Sequence, residues 1–251
     1  MEARMRLAGQ RALVTGGGRG IGRAIAARLT QAGADVTIMG RDADRLQAAA
    51  SAGAANAWLA ADVADPDAMG EALSGRSFEI VVANAGAAES GPFLKSDAAR
   101  FRRMMDVNLI GTVNAFRAAL PAMLEARAGR LVAVASTAGL RGYPYVSAYV
   151  AAKHAVVGLV RGLALETART GVTVNAICPG YTDTDLVSGS IAAISAKTGR
   201  STDEALAELV KGNPQGRLVH PDEVASAVLW LCGPGSDAVT GQAIAINGGE
   251  F

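Results

Sequence analysis

The chain has 251 residues, of which 50% are hydrophobic and 19% are charged, and its formal net charge is +1. This length can bury a large core, and single α/β domains commonly reach it. So small a net charge argues against binding to nucleic acid or to an anionic membrane surface. An aromatic content of 4% also argues against a platform for stacked bases.

Two cysteines, Cys178 and Cys232, lie far apart in the sequence and fit no spacing of metal ligands. Each ends an apolar run, so we expect buried free thiols, which are typical of a reducing cytosol. Segment 1–10 lacks the apolar core of a signal peptide, and no run approaches the ~18 uninterrupted apolar residues of a membrane helix. These features predict a soluble cytoplasmic protein.

Short apolar runs alternate with longer helical patterns along the whole chain. Seven runs are predicted to be strands: Arg11–Thr15, Asp35–Met39, Asn56–Ala61, Glu79–Ala83, Arg130–Ala135, Val172–Ile177 and Gln242–Ile246. Six segments are predicted to be helices: Ile21–Ala32, Ala43–Ala50, Asp65–Leu73, Phe101–Ala126, Ser147–Thr170 and Asp222–Leu231. The alternation predicts an α/β fold with a parallel sheet and helices on both faces.

No linker or change in composition divides the chain, so we expect one domain over residues 1–251. The one irregular stretch is 181–217, which is rich in Ser, Thr, Gly and Asp but also holds apolar residues. It interrupts the alternation before the last helix and strand. A domain linker is the alternative, but nothing that could form a second domain follows it. We interpret the stretch as a small helical lid over a substrate site.

Residues 15–22, between the first strand and the first helix, read Thr-Gly-Gly-Gly-Arg-Gly-Ile-Gly. Glycine lets the backbone turn sharply and approach a pyrophosphate closely, while the helix N-terminus offers amides and a partial positive charge. The spacing is Thr-Gly-x-x-x-Gly-x-Gly, because the last glycine of Gly-x-Gly-x-x-Gly would fall on Ile21. We interpret the segment as a dinucleotide-binding loop rather than a glycine-rich turn without a ligand.

The end of the second strand discriminates between the two nicotinamide cofactors. An acid there binds the ribose hydroxyls of NAD, whereas an arginine accommodates the 2′-phosphate of NADP. Here Gly40 stands where the acid would be, Arg41 follows it, and Arg19 in the glycine loop adds a second cation. Asp42 keeps NAD as an alternative, but its place before the second helix also suits an N-cap. We therefore predict NADP(H) in preference to NAD(H).

Tyr149 is followed four residues later by Lys153, and Ser136 precedes both. Residues i and i+4 share one face of a helix, with Cβ atoms about 5–6 Å apart. The ammonium group of Lys153 is therefore expected to lower the pKa of the Tyr149 phenol from its ordinary value of about 10. A phenol activated in this way exchanges a proton with a carbonyl or alcohol oxygen near neutral pH.

The order of its motifs makes the chain resemble the short-chain dehydrogenase/reductase family. The motifs are the glycine loop, Asn84-Ala85-Gly86, Asn108, Ser136, Tyr149, Lys153 and Pro179-Gly180. The resemblance extends from Gln10 to Gly249. It implies a single Rossmann-type doubly wound domain with a seven-stranded parallel sheet, and an oxidoreductase that interconverts ketones and secondary alcohols with NAD(P).

The resemblance also implies which residues bind the cofactor. These are Gly16, Gly18, Arg19, Gly20, Ile21, Gly22, Arg41, Asp62, Val63, Asn84, Ala85, Gly86, Tyr149, Lys153, Pro179, Gly180, Thr182 and Thr184. Within this set the glycines hold the pyrophosphate, Asp62 contacts the adenine amino group, and Asn84 joins the central strands beside the cofactor. No metal is expected.

Four residues are implied to be catalytic: Asn108, Ser136, Tyr149 and Lys153. Tyr149 gives a proton to the carbonyl oxygen, and Ser136 orients that oxygen and stabilises its charge. Lys153 holds the nicotinamide ribose, and Asn108 anchors a water that passes protons to solvent.

Each of these residues also has a structural interpretation. Ser136 is also explained as a turn residue at a strand end, and Asn108 as a side chain that bonds a neighbouring carbonyl. Tyr143 and Tyr145 are rival phenols, but neither has a lysine at i+4. The two histidines, 154 and 220, have no partner in the pattern and are expected to be structural.

Two segments, 168–176 and 235–242, resemble bacterial 3-oxoacyl-thioester and polyketide ketoreductases. In the fatty-acid members two arginines bind the carrier-protein phosphopantetheine. Arg127 matches one of them, but the other position holds Thr170, with Arg169 one residue early. A thioester of a carrier protein or of CoA, or a small free ketone, is therefore the expected substrate. The lid's apolar residues fit such a substrate, or pack on the lid's own core.

The family further implies a homotetramer, paired through the long helices near 101–126 and 147–170. Alanines at 148, 151, 152 and 155 would permit close approach, or would pack inside the subunit. Two other functions stay open: an NAD-dependent secondary-alcohol or 3-hydroxyacyl-CoA dehydrogenase, and a non-catalytic nucleotide-sensing protein. The intact Tyr149 and Lys153 pair argues against the second of these.

Overall fold

The computed structural model describes residues 7–251, with only the backbone described at positions 186, 190, 193, 194, 197 and 198. The expectation that no signal peptide begins the chain therefore lies partly outside the described residues. Both cysteines are free and buried, as the apolar runs around them predicted.

A seven-stranded sheet forms the centre of the fold, with the strand order β3-β2-β1-β4-β5-β6-β7 and every neighbouring pair parallel. The strands are β1 Arg11–Thr15, β2 Asp35–Gly40, β3 Ala57–Ala60, β4 Ile80–Ala83, β5 Gly129–Val134, β6 Val172–Pro179 and β7 Ala243–Ile246. The predicted sheet is confirmed. Because all strands run the same way, their carboxyl ends meet at one edge, and the order reverses between β1 and β4.

The helices are α1 Gly20–Gln31, α2 Ala43–Ser51, α3 Pro66–Leu73, α4 Ala98–Met105, α5 Gly111–Ala126, α6 Ser147–Thr167, α7 Asp185–Thr198, α8 Thr202–Val210 and α9 Pro221–Cys232. Helices α1 and α9 contact each other on one face of the sheet, and α3, α5 and α6 cover the other.

Side chains alternate between these two layers along each strand, because successive residues of a strand point to opposite faces. On β1, Ala12 and Val14 join the core under α1 and α9, whereas Leu13 joins the core under α5 and α6. On β4, Ile80 and Val82 lie with the first group. The sheet is therefore covered on both faces, as its nearly unbroken apolar runs predicted.

The helix predicted over Phe101–Ala126 is longer and less regular than expected. It begins at Ala98, where the Asp97 side chain accepts a hydrogen bond from the amide of Arg100. One wide π-type turn, Asp106–Ile110, then separates α4 from α5. Likewise α6 ends at Thr167 rather than Thr170, whose hydroxyl instead donates to the Thr167 carbonyl at 2.7 Å.

By length and composition, the helical segments Ala98–Ala126 and Ser147–Thr167 could each cross a membrane. Both contribute buried side chains to the layer that packs on the sheet, among them Phe116 and Val160. Core helices of a globular α/β protein have this same composition, so packing on the sheet accounts for it.

The stretch predicted to be irregular, 181–217, contains two helices, α7 and α8. The start of α8 is a capping box: the Ser201 hydroxyl accepts from the Glu204 amide at 3.2 Å, and the Glu204 carboxylate accepts from the Ser201 amide at 2.8 Å. The segment lies beside the carboxyl edge of the sheet, since a Cβ on Gly20 of the glycine loop would lie 3.1 Å from Thr184 Cγ2.

We predict opposite stability effects for two glycine-to-alanine variants. A Cβ on Gly22 would overlap the Gly16 carbonyl oxygen and the Asn84 amide nitrogen, so Gly22→Ala should destabilise the fold by about 1–3 kcal/mol. Gly70 is exposed in α3 with no described atom near its Cβ position, so Gly70→Ala should stabilise by about 0.5–1 kcal/mol. Urea unfolding measures both. Equal stability of Gly22→Ala and wild type would contradict the close approach.

Candidate active site

A cleft of about 770 Å³ opens at the carboxyl edge of the sheet, where the strand order reverses. It gathers most of the predicted site residues: Gly16, Gly18, Arg19, Gly20, Ile21, Gly22, Arg41, Asp62, Val63, Asn84, Ala85, Gly86, Asn108, Tyr149, Lys153 and Thr184. Four predicted residues do not line it: Ser136, Pro179, Gly180 and Thr182. The cleft also includes residues that sequence reasoning missed, above all Arg45 and Asp185.

The glycine loop lies against the end of β4. The Asn84 side-chain amide donates to the carbonyl oxygens of Thr15 at 3.0 Å and Gly16 at 3.3 Å. In return the Thr15 hydroxyl accepts from the backbone amides of Asn84 and Ala85, both at 3.0 Å. Gly16 has φ +66, a left-handed conformation that side chains rarely adopt, and its missing Cβ would lie 2.8 Å from Asn84 Nδ2.

The first turn of α1 lines the cleft with Gly20, Ile21 and Gly22. Arg19 occupies the N-cap position, but its side chain makes no capping hydrogen bond. Free amides at a helix N-terminus, together with the helix dipole, bind phosphate groups. The loop and the helix start therefore fit the pyrophosphate of a dinucleotide.

Three arginines line the end of the cleft beside β2, and each lies near a carboxylate. Arg41 Nη1 is 3.8 Å from Asp62 Oδ2, and Arg45 Nε is 3.0 Å from Asp42 Oδ2. Asp42 also caps α2 by accepting from the Arg45 amide at 3.1 Å, so its predicted N-cap role is confirmed. Sequence reasoning missed Arg45, although its position three residues after an N-cap places it in the first turn of α2.

The third pair joins the glycine loop to the start of α7 in segment 181–217. Arg19 Nη1 lies 3.9 Å from Asp185 Oδ2, with 60% and 75% of the two side chains exposed. Beside it, the Thr184 hydroxyl donates to the Thr182 carbonyl at 3.2 Å. The start of α7 therefore lies directly over the glycine loop.

Tyr149 and Lys153 lie in the first two turns of α6. Lys153 Nζ is 5.7 Å from the centre of the Tyr149 ring and donates to the Val134 carbonyl at 2.9 Å. Burial lowers the pKa of Lys153 to about 8. Burial raises the pKa of Tyr149, and the Ser136 hydroxyl acts in the opposite direction.

The expected net lowering of the Tyr149 pKa is therefore wrong for this structure: the shift is upward. Two physical reasons account for this. The phenol is removed from water, which disfavours its anion, and the neighbouring Cys178 and Tyr181 raise the pKa of Tyr149 further.

Ser136 lies outside the cleft lining but next to Tyr149. It follows β5 directly, and its Oγ accepts from the amide of Ala138 at 3.1 Å, which begins a single 3-10 turn over Thr137–Gly139. The hydroxyl thus has a turn-forming role, as the structural interpretation expected. Its own proton stays available, because in this contact the hydroxyl is the acceptor.

Asn108 lies in the π-type turn between α4 and α5. Its Nδ2 donates to the carbonyls of Ala87 and Met104, both at 2.9 Å. Its Oδ1 is buried and has no partner among the described residues. That oxygen and Lys153 Nζ lie 2.6 and 3.6 Å from the position that a Cβ on Gly86 would take. The spare acceptor beside Lys153 fits an ordered water.

The segment from Pro179 to Thr182 lies outside the cleft lining and has contacts of its own. Thr182 is buried, donates to the Gly180 carbonyl at 3.0 Å and forms a bridge with Val219. Its hydroxyl therefore has an internal partner, whereas Thr184, two residues later, reaches the cleft.

Other titratable residues of the region have structural partners. His154 Nδ1 lies 2.9 Å from the Val150 carbonyl, and His220 caps α9. Tyr145 is 66% exposed, whereas Tyr143 donates to Glu250 at 2.7 Å. Among the described residues, no group of three histidine, cysteine or acidic side chains could hold a metal ion.

A family model and several known proteins match this chain along nearly its whole length. A family model described as enoyl-(acyl carrier protein) reductase matches residues 16–250. D-beta-hydroxybutyrate dehydrogenase of Rhizobium meliloti (strain 1021) is 35% identical over 251 residues, which cover 95% of this chain and 97% of that protein. The 3-oxoacyl-(acyl-carrier-protein) reductase of Chlamydia trachomatis serovar D is 31% identical, with 97% and 98% covered.

Solved structures agree with these relatives. A variant of actinorhodin polyketide ketoreductase with NADPH has a TM-score of 0.90 and 35% identity, and the match covers 96% of this chain and 97% of that chain. Levodione reductase has a TM-score of 0.91 and 31% identity, with 98% of both chains covered.

The buried lysine predicts a pH dependence of stability. The pKa of Lys153 is about 8 in the folded state and ordinarily 10.5, so between these values the unfolded chain holds a proton that the folded chain has lost. Protonation of the buried Lys153 side chain at lower pH therefore destabilises the folded state. The stability of wild type relative to Lys153→Met should therefore rise by about 2–3 kcal/mol as pH rises from 8 to above 10.

Urea unfolding at several pH values measures this difference. Lys95→Met, at an exposed lysine, is the control for the loss of one lysine. Parallel stability curves for wild type and Lys153→Met across the window would contradict the assignment.

Proposed function

Because the chain belongs to the short-chain dehydrogenase/reductase family, we propose that it is an NADP(H)-dependent oxidoreductase that reduces a ketone to a secondary alcohol. The substrate class that we propose is a 3-oxoacyl thioester or a similar ketone. The observation that carries the proposal is the meeting of Tyr149, Lys153 and the glycine loop in one cleft, with Ser136 adjacent.

The cleft fits a dinucleotide, because its loop has no room for side chains at Gly16 and Gly22 and its helix start offers free amides. When bound, NADPH supplies the hydride that reduces the carbonyl carbon. The other cleft residues that we propose as ligands are Gly18, Gly20, Ile21, Asp62, Val63, Asn84, Ala85, Gly86 and Thr184.

The protein's part in the reaction is to supply and stabilise a proton. Tyr149 gives its phenolic proton to the carbonyl oxygen as negative charge grows there, and Ser136 donates a hydrogen bond to the same oxygen. Burial raises the pKa of Tyr149, so the phenol is protonated at neutral pH, and the Ser136 hydroxyl, which acts in the opposite direction, favours release of that proton. This state suits the reductive direction.

Lys153 stabilises the resulting phenolate through its positive charge and also holds the nicotinamide ribose. Its ammonium lies 5.7 Å from the centre of the phenol ring. A pKa of about 8 lets it lose and regain a proton close to neutral pH. The spare acceptor of Asn108 binds the water that returns the proton from solvent.

Preference for NADP(H) is supported by the charges beside β2. Gly40 leaves the end of the strand without an acidic side chain, and Arg19, Arg41 and Arg45 line the cleft around it. A second candidate function is an NAD-linked secondary-alcohol dehydrogenase. It is favoured by the carboxylates of Asp42 and Asp62, which line the same wall and lie against two of the arginines.

For the substrate, the relatives named as ketoacyl and polyketide ketoreductases support a thioester-linked ketone. The support for docking of a carrier protein is smaller. Arg127 donates to the Arg169 carbonyl at 3.0 Å, and the second expected arginine position is Thr170, which bonds Thr167. We therefore propose acyl-CoA or free ketones first, with the helices of 181–217 as the lid over them.

We further propose a cytoplasmic homotetramer. The exposed face of α6 carries Ala151, Gly158 and Leu165, and Leu165 is 81% exposed. Ala148 and Ala152, by contrast, are buried against Met104 inside the subunit. Only part of the alanine-rich face is thus available to a second subunit.

The first experiment titrates NADPH and NADH by the fluorescence of Trp58 and Trp230, then follows turnover with acetoacetyl-CoA, acetoacetyl carrier protein and a cyclic ketone. Tyr149→Phe should bind NADPH within about twofold of wild type and lose turnover by about 10²–10⁴-fold, the usual contribution of a general acid. Normal turnover in Tyr149→Phe would contradict the proton-donor role. NADPH binding without turnover of any ketone would contradict the reductase function.

A second variant tests the cofactor preference. Arg41→Asp should lower the NADP/NAD ratio of kcat/KM by about 10- to 100-fold, because hydrogen bonds to charged groups contribute about 1.5–3 kcal/mol. Arg76→Asp makes the same charge change at an exposed site outside the cleft lining and should leave the ratio unchanged. If Arg41→Asp leaves the ratio at the wild-type value, the NADP assignment is wrong.

A further inference from the structure

A nearly buried carboxylate lies beside the loop that leads into the catalytic helix. Only 9% of the Glu250 side chain is exposed, although glutamates are rarely buried without a partner. Its partner is Tyr143, whose hydroxyl donates to Glu250 Oε1 at 2.7 Å. Neither residue lines the cleft described above.

Three further side chains complete this group, which we call the Glu250 cluster: Glu250, Tyr143, Arg141, Tyr181 and Phe251. The Arg141 guanidinium lies 5.2 Å from the ring centre of Tyr143 and 5.4 Å from that of Phe251, within cation–π range. Its Nη1 is 3.8 Å from Glu250 Oε1, so the carboxylate is closer to the tyrosine than to the cation.

Tyr143 in turn packs edge-to-face on Tyr181, with ring centres 6.4 Å apart and an interplanar angle of 77°. Both rings stand near the reacting groups. Tyr143 interacts with Thr137, the neighbour of Ser136, and Tyr181 contributes to the raised pKa of Tyr149. The two rings thus form an aromatic wall beside the segment that carries Ser136 and Tyr149.

The same carboxylate faces the lid segment. A Cβ on Gly212 would lie 3.3 Å from Glu250 Oε1, and one on Gly180 would lie 3.8 Å from Oε2. Glu250 therefore stands where the loop before α6, the loop after β6 and the chain after α8 meet. A substitution of Glu250 would therefore remove contacts to all three of these segments.

We propose that Glu250 is a positioning residue for the ketone: by holding Tyr143 against Tyr181, it sets the aromatic wall against which the substrate lies. The inference rests on the proposed reductase function. It assigns substrate positioning to a residue far from Tyr149 in sequence. Burial, aided by the carboxylate, raises the pKa of Tyr143 to about 12, so this phenol keeps its proton and remains the donor to Glu250.

Kinetics of Glu250→Ala, Glu250→Gln, Tyr143→Phe and the double variant Tyr143→Phe/Glu250→Ala test the proposal. Glu250→Ala and Tyr143→Phe should each raise the KM for the ketone by about 5- to 10-fold, the equivalent of one lost hydrogen bond. The Kd for NADPH should stay at the wild-type value. Glu250→Gln keeps an acceptor oxygen and should restore most of the KM. The double variant should be no worse than either single variant, because both remove the same contact.

Hydrogen exchange of residues 140–146 gives a readout that needs no turnover. Exchange there should be faster in Glu250→Ala and Tyr143→Phe than in wild type, and unchanged in Glu71→Ala, an exposed glutamate on α3.

The outcomes separate this inference from the proposed function. A wild type that reduces no ketone overturns the function, and the exchange rates still decide whether Glu250 holds Tyr143. Unchanged exchange in Glu250→Ala overturns the contact itself. Faster exchange with an unchanged KM overturns the positioning role, and additive effects in the double variant do the same.

Discussion

The whole site depends on the hydrogen bonds that join the ends of β1 and β4. Thr15 is 1% exposed, and its hydroxyl is the acceptor for the partly buried backbone amides of Asn84 and Ala85. The Asn84 amide returns two bonds to the carbonyls at the start of the glycine loop. This contact holds the loop against the sheet where the strand order reverses, and leaves no room for side chains at Gly16 or Gly22. The cleft, the direction of α1 and the place of Gly86 beside Asn108 and Lys153 all follow from it.

The sheet could be predicted from the sequence because its strands are covered on both faces and therefore consist of apolar runs. The ends of helices were harder to predict, because single polar side chains decide them. The Asp97 side chain starts α4 three residues before the predicted helix, and the Thr170 hydroxyl bonds back to Thr167 after α6 has ended. The π-type turn around Asn108 has the same apolar periodicity as its neighbours. Apolar periodicity reports which face is buried, and not how the backbone bonds are arranged.

Most of the predicted site residues line one cleft, but Ser136, Pro179, Gly180 and Thr182 do not, and the pKa of Tyr149 shifts in the direction opposite to the predicted one. Thr182 and Thr184 are alike in sequence, yet only Thr184 reaches the cleft, because Thr182 is turned inward to the Gly180 carbonyl. The i+4 spacing correctly placed Lys153 near Tyr149. It predicted the wrong direction for the pKa shift of the phenol, because the spacing of residues along a helix does not show how deeply a side chain is buried. Glu250 lies more than 100 positions from Tyr143, so no local pattern could have joined them.

An ion pair in the cleft joins the glycine loop to segment 181–217. Each of three arginines in the cleft lies near a carboxylate, so positive and negative charges balance there. The pairs are Arg19 with Asp185, Arg41 with Asp62, and Arg45 with Asp42. More than half of each arginine side chain is exposed. Exposed ion pairs stabilise a protein by only about 0–1 kcal/mol, so each guanidinium group can exchange its carboxylate for another anion at little cost in free energy. A dianionic 2′-phosphate offers stronger, bidentate hydrogen bonds than a distant carboxylate does. If Arg19 bound such a phosphate it would leave Asp185 at the start of α7, so binding at this end of the cleft would change one contact between the glycine loop and segment 181–217.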